Sequence, residues 1–289
     1  MVVQASPHVG APSPSYLAAY NQIMRPLLDR MWPLEFSGRE NLPEHDRYLL
    51  VANHSGVGIV EVLSLVAVWS DHVGFERRVA AMAHPALFRM PGFRSLVHAA
   101  GCVEATRAGA RFARDSGAAL LVFPGGDHES MRPLWEADRV DFAGRKGWIK
   151  LARELDLTVV PVAITGTHVT LPNLGWSKVL AWASGPRLFG MRRVPIPLLS
   201  VIGAGLSLIA SRGKSVPTRL ARAFAAYWGL AVIPFIPSKI GFHILPELTA
   251  DELAAEEDQV YARVTSDIER VLTRASRARR GADRRAAVS

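Results

Sequence analysis

Between residues 34 and 166 the chain alternates short aliphatic, β-branched runs with stretches of helical periodicity, and this alternation restricts the fold more than any other feature. The runs at 47–52, 97–103, 118–123 and 158–164 read as strands, and the stretches at 59–70, 106–116 and 146–155 as helices. Strands separated by helices are joined by crossovers, which lay the strands parallel and put the helices on the sheet faces. The expected fold class is therefore α/β: a single domain with a mainly parallel central sheet flanked by helices. A closing strand is expected at 239–245. A helix over 251–274 would then carry Leu253, Val260, Val264, Ile268 and Val271 on one face.

Around this centre the sequence predicts further pieces. Residues 1–13 are small, polar and proline-containing, which suggests disorder. Ser15 to Trp32 has apolar residues at helical spacing, an amphipathic helix that either touches a membrane or packs on the domain. Val194 to Ser211 is uncharged and long enough to raise the question of a membrane span, but its Pro195, Pro197, Gly203 and Gly205 weaken that reading. Residues 176–237 are read as an apolar insertion that lies at a bilayer interface or walls an acyl tunnel. The arginine-rich end, 274–289, reads as a disordered basic tail.

A 49% hydrophobic fraction, a mean hydropathy of +0.13, a formal charge of +8 and a pI near 10.1 describe a chain both apolar and basic. That pair favours an anionic membrane surface, and the absence of a basic-aromatic module argues against nucleic acid. The single Cys102 excludes an internal disulfide. The first thirty residues show no secretory leader pattern, so the expected location is the cytoplasmic face of a membrane, peripheral or monotopic. No metal-ligand spacing, dinucleotide fingerprint or Gly-x-Ser-x-Gly elbow occurs.

Chemistry concentrates in two segments. Asn53-His54-Ser55-Gly56 ends the apolar run Tyr48-Leu49-Leu50-Val51-Ala52, and Glu61 follows seven positions after the histidine. A histidine between strand and helix, with a carboxylate on that helix, is the layout of a general base and its orienting acid. Imidazole suits the task because it exchanges its proton near neutral pH. Glu61 has a second reading, as the N3 residue of a helix capped by Gly58, where the helix amides alone favour a carboxylate. The second segment, Phe123-Pro124-Gly125-Gly126-Asp127-His128-Glu129, follows a predicted strand, so its glycines would form a tight turn facing the same region.

The order of the blocks resembles the glycerolipid acyltransferase family of lysophosphatidate type, which moves a fatty acyl group from a thioester to a hydroxyl. Gly38-Arg39-Glu40-Asn41-Leu42-Pro43 and the His54 segment look like its first block. Gly101-Cys102-Val103-Glu104-Ala105-Thr106-Arg107, Val122 to Gly126 and Val160-Pro161-Val162-Ala163-Ile164 look like the next three. Two positions depart from the pattern: Ile59 stands where the family usually has its aspartate, and Gly125 where it usually has glutamate. Gly-Gly-x-x-Glu ending in Glu129, and Gly144 to Ala152, resemble the diacylglycerol acyltransferase-like branch.

The resemblance implies an acyltransferase domain over 14–273 with His54 and Glu61 as the catalytic dyad. It implies substrate binding by Ser55, Gly56, Arg107, Phe123, Pro124, Gly125, Gly126, Glu129 and Arg145, with Arg107 and Arg145 suited to a phosphate. It needs no cofactor or metal; acyl-CoA, or an acyl carrier protein, would be the donor. The acceptor would be a glycerolipid, foremost a lysophospholipid such as 1-acylglycerol-3-phosphate. The alternatives are diacylglycerol or wax-ester-type transfer to a neutral lipid, or a catalytically inactive lipid-binding protein of the same fold.

Overall fold

The computed structural model describes residues 8–90, 92–183 and 193–286. Among the described residues nine strands form: β1 (Leu34–Ser37), β2 (Tyr48–Ala52), β3 (Val79–Ala83), β4 (Val103–Glu104), β5 (Ala119–Val122), β6 (Thr158–Thr165), β7 (Asn173–Ser177), β8 (Val194–Pro197) and β9 (Ile240–Ile244). Seven of them make one sheet in the order β1-β9-β6-β2-β5-β3-β4, parallel at every junction except β6–β9. β7 and β8 pair separately as an antiparallel hairpin.

Every residue of β2 is buried because the strand is central and covered on both faces. Its alternate side chains divide the core. Leu49 and Val51 pack with α5 (Arg107–Asp115), α7 (Gly147–Leu155) and α12 (Glu257–Ala286). Tyr48, Leu50 and Ala52 pack with Val60 and Val68 of α3 (Ile59–Val68). The expected α/β sheet is thus present, and β2 and β5 lie side by side with Val51 opposite Val122.

Four expectations are corrected. The apolar run at 97–103 is mostly helix: α4 (Phe93–Ala99) uses the helical spacing of Phe93, Leu96 and Val97, and Gly101, at φ +79°, turns the chain into the two-residue β4. Residues 8–13 are tied down: the N–H of Gly10 donates to Gly101 O, that of Val79 to Gly10 O and that of Ser13 to Ala99 O, while Val9 is buried. Residues 274–286 continue α12 as helix; residues 1–7 and 287–289 lie outside the described residues. The helix expected over 251–274 begins as a separate turn, α11 (Ala250–Ala254), set by a Thr249–Glu252 capping box.

The N-terminal helix is in two parts, α1 (Pro14–Ala19) and α2 (Arg25–Met31), joined by a widened turn over Tyr20–Met24. Pro26 has no N–H to donate, and the N–H of Arg25 reaches back to Tyr20 O. Tyr20 and Leu28 bury against Val66 and Ala67 of α3, and the Tyr20 hydroxyl donates to Leu63 O at 2.7 Å. In the 176–237 region α8 (Lys178–Ala183) precedes β8. Then α9 (Leu198–Ala210) and α10 (Val216–Leu230) form a helical hairpin. No helix among the described residues is long and apolar enough to cross a membrane.

Candidate active site

The parallel register of β2 and β5 brings their C-terminal ends out together, so the chain leaving β2 at Asn53 meets the chain leaving β5 at Phe123. The Asn53 carboxamide accepts from Ile164 N–H at 2.7 Å and donates to Ile164 O at 2.9 Å, stitching the end of β2 to β6. His54 follows at once. Its ring stacks on Phe123 with centroids 4.6 Å apart.

Nδ1 of His54 lies 2.5 Å from Oε2 of Glu61, whose side chain is fully buried, while the imidazole keeps 17% exposure. A carboxylate accepts from Nδ1–H, which leaves Nε2 as the basic nitrogen. The other oxygen, Oε1, receives the Ser55 N–H and the Ser55 hydroxyl, both at 2.7 Å. The Thr167 hydroxyl sits 3.0 Å from the same oxygen and 2.5 Å from Ser55 Oγ. Glu61 does occupy the third position of α3 behind Gly58, but its oxygens face Ser55 and His54. Gly58, at φ +78°, is required by the same geometry: a Cβ there would come within 2.4 Å of His54 Cε1.

Ser55 and Gly56, expected to bind substrate, pack against the residues that hold His54. Ser55 is 2% exposed with its hydroxyl on Glu61, and Gly56 packs so closely on Thr167 that a Cβ would stand 2.8 Å from Thr167 O. Glu129, also expected at the substrate, is completely buried. Its Oε2 accepts the N–H of His54 at 3.1 Å, and its Oε1 accepts the N–H of Asp141 at 3.3 Å and pairs with Arg132 at 3.5 Å. Burial alone raises its carboxyl above the usual range, and Arg132 with the two N–H donors pulls it back toward the ionised form. Arg132, itself 3% exposed, donates onward to the carbonyls of Glu129, Glu136 and Arg139.

Phe123, Pro124, Gly125 and Gly126 form the turn into α6 (Gly126–Ser130), which stands beside His54 as expected. Arg145 grips it from below, donating to Pro124 O at 3.2 Å, to Gly125 O at 2.7 Å and to Asp127 at 3.0 Å. Arg107 opens α5 behind its Thr106 cap and pairs with Glu154 of α7 at 3.6 Å. Both arginines foreseen for a phosphate are therefore engaged within the protein. His128 donates from Nε2 to Asp141 at 2.6 Å and accepts at Nδ1 from Arg193, whose guanidinium lies 4.4 Å from the Trp176 ring centroid.

Sequence reasoning missed Thr167 and His168, which reach the site from the turn after β6. His168 is buried and donates from Nε2 to Pro133 O at 3.0 Å; burial lowers its pKa to about 4. Nothing in the spacing of residues more than a hundred positions from Glu61 signals such support. The Glu129–Arg132 pair, by contrast, stands at i,i+3 spacing and is legible as a local ion pair.

Residues 33–165 match the family described as Acyltransferase. The chain is 32% identical over 200 residues to an uncharacterized protein of Mycobacterium leprae, covering 67% of this chain and 53% of that protein. It is 33% identical over 197 residues to one of Mycobacterium tuberculosis, covering 66% and 53%. A Bos taurus protein, "DGAT1/2-independent enzyme synthesizing storage lipids", is 24% identical over 148 residues, covering 51% and 43%. The chain spans about half the length of the curated relatives it matches. The solved 1-acyl-sn-glycerophosphate acyltransferase PlsC from Thermotoga maritima shares the fold, with a TM-score of 0.52 at 17% identity over 89% of this chain and 79% of that one. Residues 33–165, which carry the His54–Glu61 pair and the turn beside it, match the Acyltransferase family.

Proposed function

We propose that this enzyme transfers a fatty acyl group from an acyl thioester, acyl-CoA or acyl carrier protein, to a hydroxyl of a glycerolipid at the cytoplasmic face of a membrane. The observation that carries the reading is the 2.5 Å His54–Glu61 contact beside the Phe123–Gly126 turn. His54 Nε2 takes the hydroxyl proton as the oxygen attacks the thioester carbonyl. Amides of the glycine turn stabilise the resulting oxyanion. Glu61 stabilises the imidazolium formed in the attack. The intermediate collapses, the carbon–sulfur bond breaks, and His54 returns the proton to the thiolate, leaving an ester and a free thiol.

The acceptor best supported is a neutral mono- or diacylglycerol. Arg145, the arginine beside the turn, is held by Pro124 O, Gly125 O and Asp127, while Arg107 is exposed and meets Glu154 through Nε alone at 3.6 Å. The name of the Bos taurus relative, an enzyme synthesizing storage lipids, is in keeping with this. A lysophosphatidate acceptor is the second reading, favoured by the likeness to PlsC. Palmitoyl-CoA with a panel of mono- and diacylglycerols and lysophospholipids, followed by thiol release and product mass, tests both. Product on neutral acceptors that vanishes in His54→Ala is expected; product on lysophosphatidate alone overturns the neutral assignment, and thiol release without acylated lipid overturns acyl transfer.

A further inference from the structure

Between Asp156 and Glu247 the sequence contains nine of the 34 Lys and Arg residues and no Asp or Glu, which leaves 25 basic against 26 acidic residues elsewhere. The stretch carries nine positive charges uncompensated by any carboxylate of its own, and its middle is the α9–α10 hairpin. Several cations outside it are paired, as in Arg25–Asp71, Arg111–Glu154, Arg145–Asp127 and Arg263–Asp267, and the arginine-rich residues 274–285 form a second basic segment. Arg212 and Lys214 at the hairpin turn, and Arg222 on α10, are exposed and form no ion pair among the described residues.

The hairpin is also amphipathic with the wrong side out. Leu198, Ile202, Leu206 and Ile209 of α9 follow 4, 4 and 3 residue steps, a single helix stripe, and all are exposed, Leu206 by 62% and Ile209 by 53%. Val216, Leu220 and Phe224 make the matching stripe on α10, Phe224 being 52% exposed. The inward contacts use small residues: Gly203 lies where a Cβ would meet Leu230 at 2.3 Å, and Ala223 is buried. A helix pair serving only its own domain turns such stripes inward. At 13 and 15 residues neither helix reaches the roughly 20 needed to span a bilayer.

We infer that the α9–α10 hairpin is the membrane anchor of this enzyme, lying in the interface of an anionic bilayer with its two stripes among the acyl chains and Arg212, Lys214 and Arg222 against headgroup phosphates. A uniformly anionic sheet of lipid answers a stretch of cations with no carboxylate, and the exposed aliphatic stripes have no role on a nucleic acid. The base of the hairpin is fixed to the catalytic region. Asn173, the first residue of β7, donates to Met131 O, and the N–H groups of Phe235 and Ile236 donate to Thr170 O at 3.0 and 3.2 Å. Anchoring the hairpin therefore holds the His54 turn close to the lipid surface. The inference rests on the reading that the acceptor is a lipid.

Sedimentation with vesicles of phosphatidylcholine, alone or mixed with phosphatidylglycerol, tests it. Wild type is expected to partition onto the mixed vesicles, and L206E/F224E to lose that by about tenfold or more. R212E/K214E should lose the preference for phosphatidylglycerol, and all variants should melt like wild type because the altered side chains are exposed. Turnover of a short-chain, water-soluble acylglycerol should be unchanged in both variants, while turnover of vesicle-borne acceptor falls with binding. No binding by wild type, binding indifferent to lipid charge, or hairpin-dependent dimers in solution would overturn the anchor. Loss of turnover on the soluble acceptor would assign the hairpin to the substrate path instead. Vesicle binding without any turnover would leave the anchor standing and sink the acyltransfer reading.

Discussion

Replacing Glu61 with glutamine preserves shape and removes one acceptor. Oε1 of the carboxylate receives the Ser55 N–H and hydroxyl with Thr167 close by, whereas Oε2 receives only Nδ1–H of His54. A glutamine must turn its NH2 toward one side. Facing Ser55 it would meet a backbone N–H that cannot rotate away, and a buried donor left without an acceptor costs roughly 1–3 kcal/mol. The amide oxygen therefore keeps the Ser55 side and the NH2 faces His54. Now Nδ1 has to accept, so the proton of the neutral ring moves to Nε2, the nitrogen that must act as base. Inversion of the same tautomer in a serine-protease triad costs about 10⁴ in kcat. We expect kcat of Glu61→Gln to fall by about 10³–10⁴ with KM little changed, and stability to fall by roughly 1 kcal/mol, the difference between hydrogen bonds to a charged and to a neutral acceptor. Thiol release and acylated product, measured beside a thermal melt, read both numbers. A folded variant within about tenfold of wild-type kcat would reduce Glu61 to a carboxylate serving its helix and refute the dyad.

Glu129→Ala strands Arg132 in the interior and should cost about 3–5 kcal/mol in urea unfolding; adding Arg132→Met should recover much of that, and additive losses would mean the two do not form a buried pair. Gly58→Ala drives a methyl into the His54 ring and should lower kcat on the order of 10² without lowering vesicle binding; unchanged kcat would show the ring tolerates displacement. His168 has a folded pKa near 4 against 6.5 unfolded, so its contribution is full above pH 6.5 and is lost as pH falls toward 4. That slope is worth on the order of 3 kcal/mol. Urea midpoints across that window should fall more steeply for wild type than for His168→Gln; parallel curves would show that His168 is charged or exposed in the folded state.

Strands of Leu and Val between polar turns were legible in the sequence because a central strand buried on both faces has no room for polar residues, as in β2 and β6. β3 was not, since Val-Ala-Ala-Met-Ala lacks β-branched bulk beyond its first residue and its strand character comes from lying between β5 and β4. The run at 97–103 misled because an apolar stretch has no period of its own until its flanks are counted. His54, Glu61 and the Phe123 turn were legible because strand ends and helix starts place them. The parts of Ser55, Thr167, Glu129 and Arg145 were not, because a polar residue near a catalytic histidine looks the same in sequence whether it faces the substrate or holds the base from behind. Burial separates the two.

The crowding at Gly125 has a consequence for which sequences this site can reach. A Cβ at 125 would stand 2.3 Å from Glu129 Cβ and 2.4 Å from its Oε2, so a side chain at 125 and the present pose of Glu129 cannot coexist. An acid introduced at 125 would displace the carboxylate that holds the His54 amide, and Glu129 removed first would strand Arg132. Each single step passes through a damaged intermediate. The two acid placements are thus separate islands in sequence space, and a lineage that has settled on Glu129 with Gly125 is held there by its own geometry.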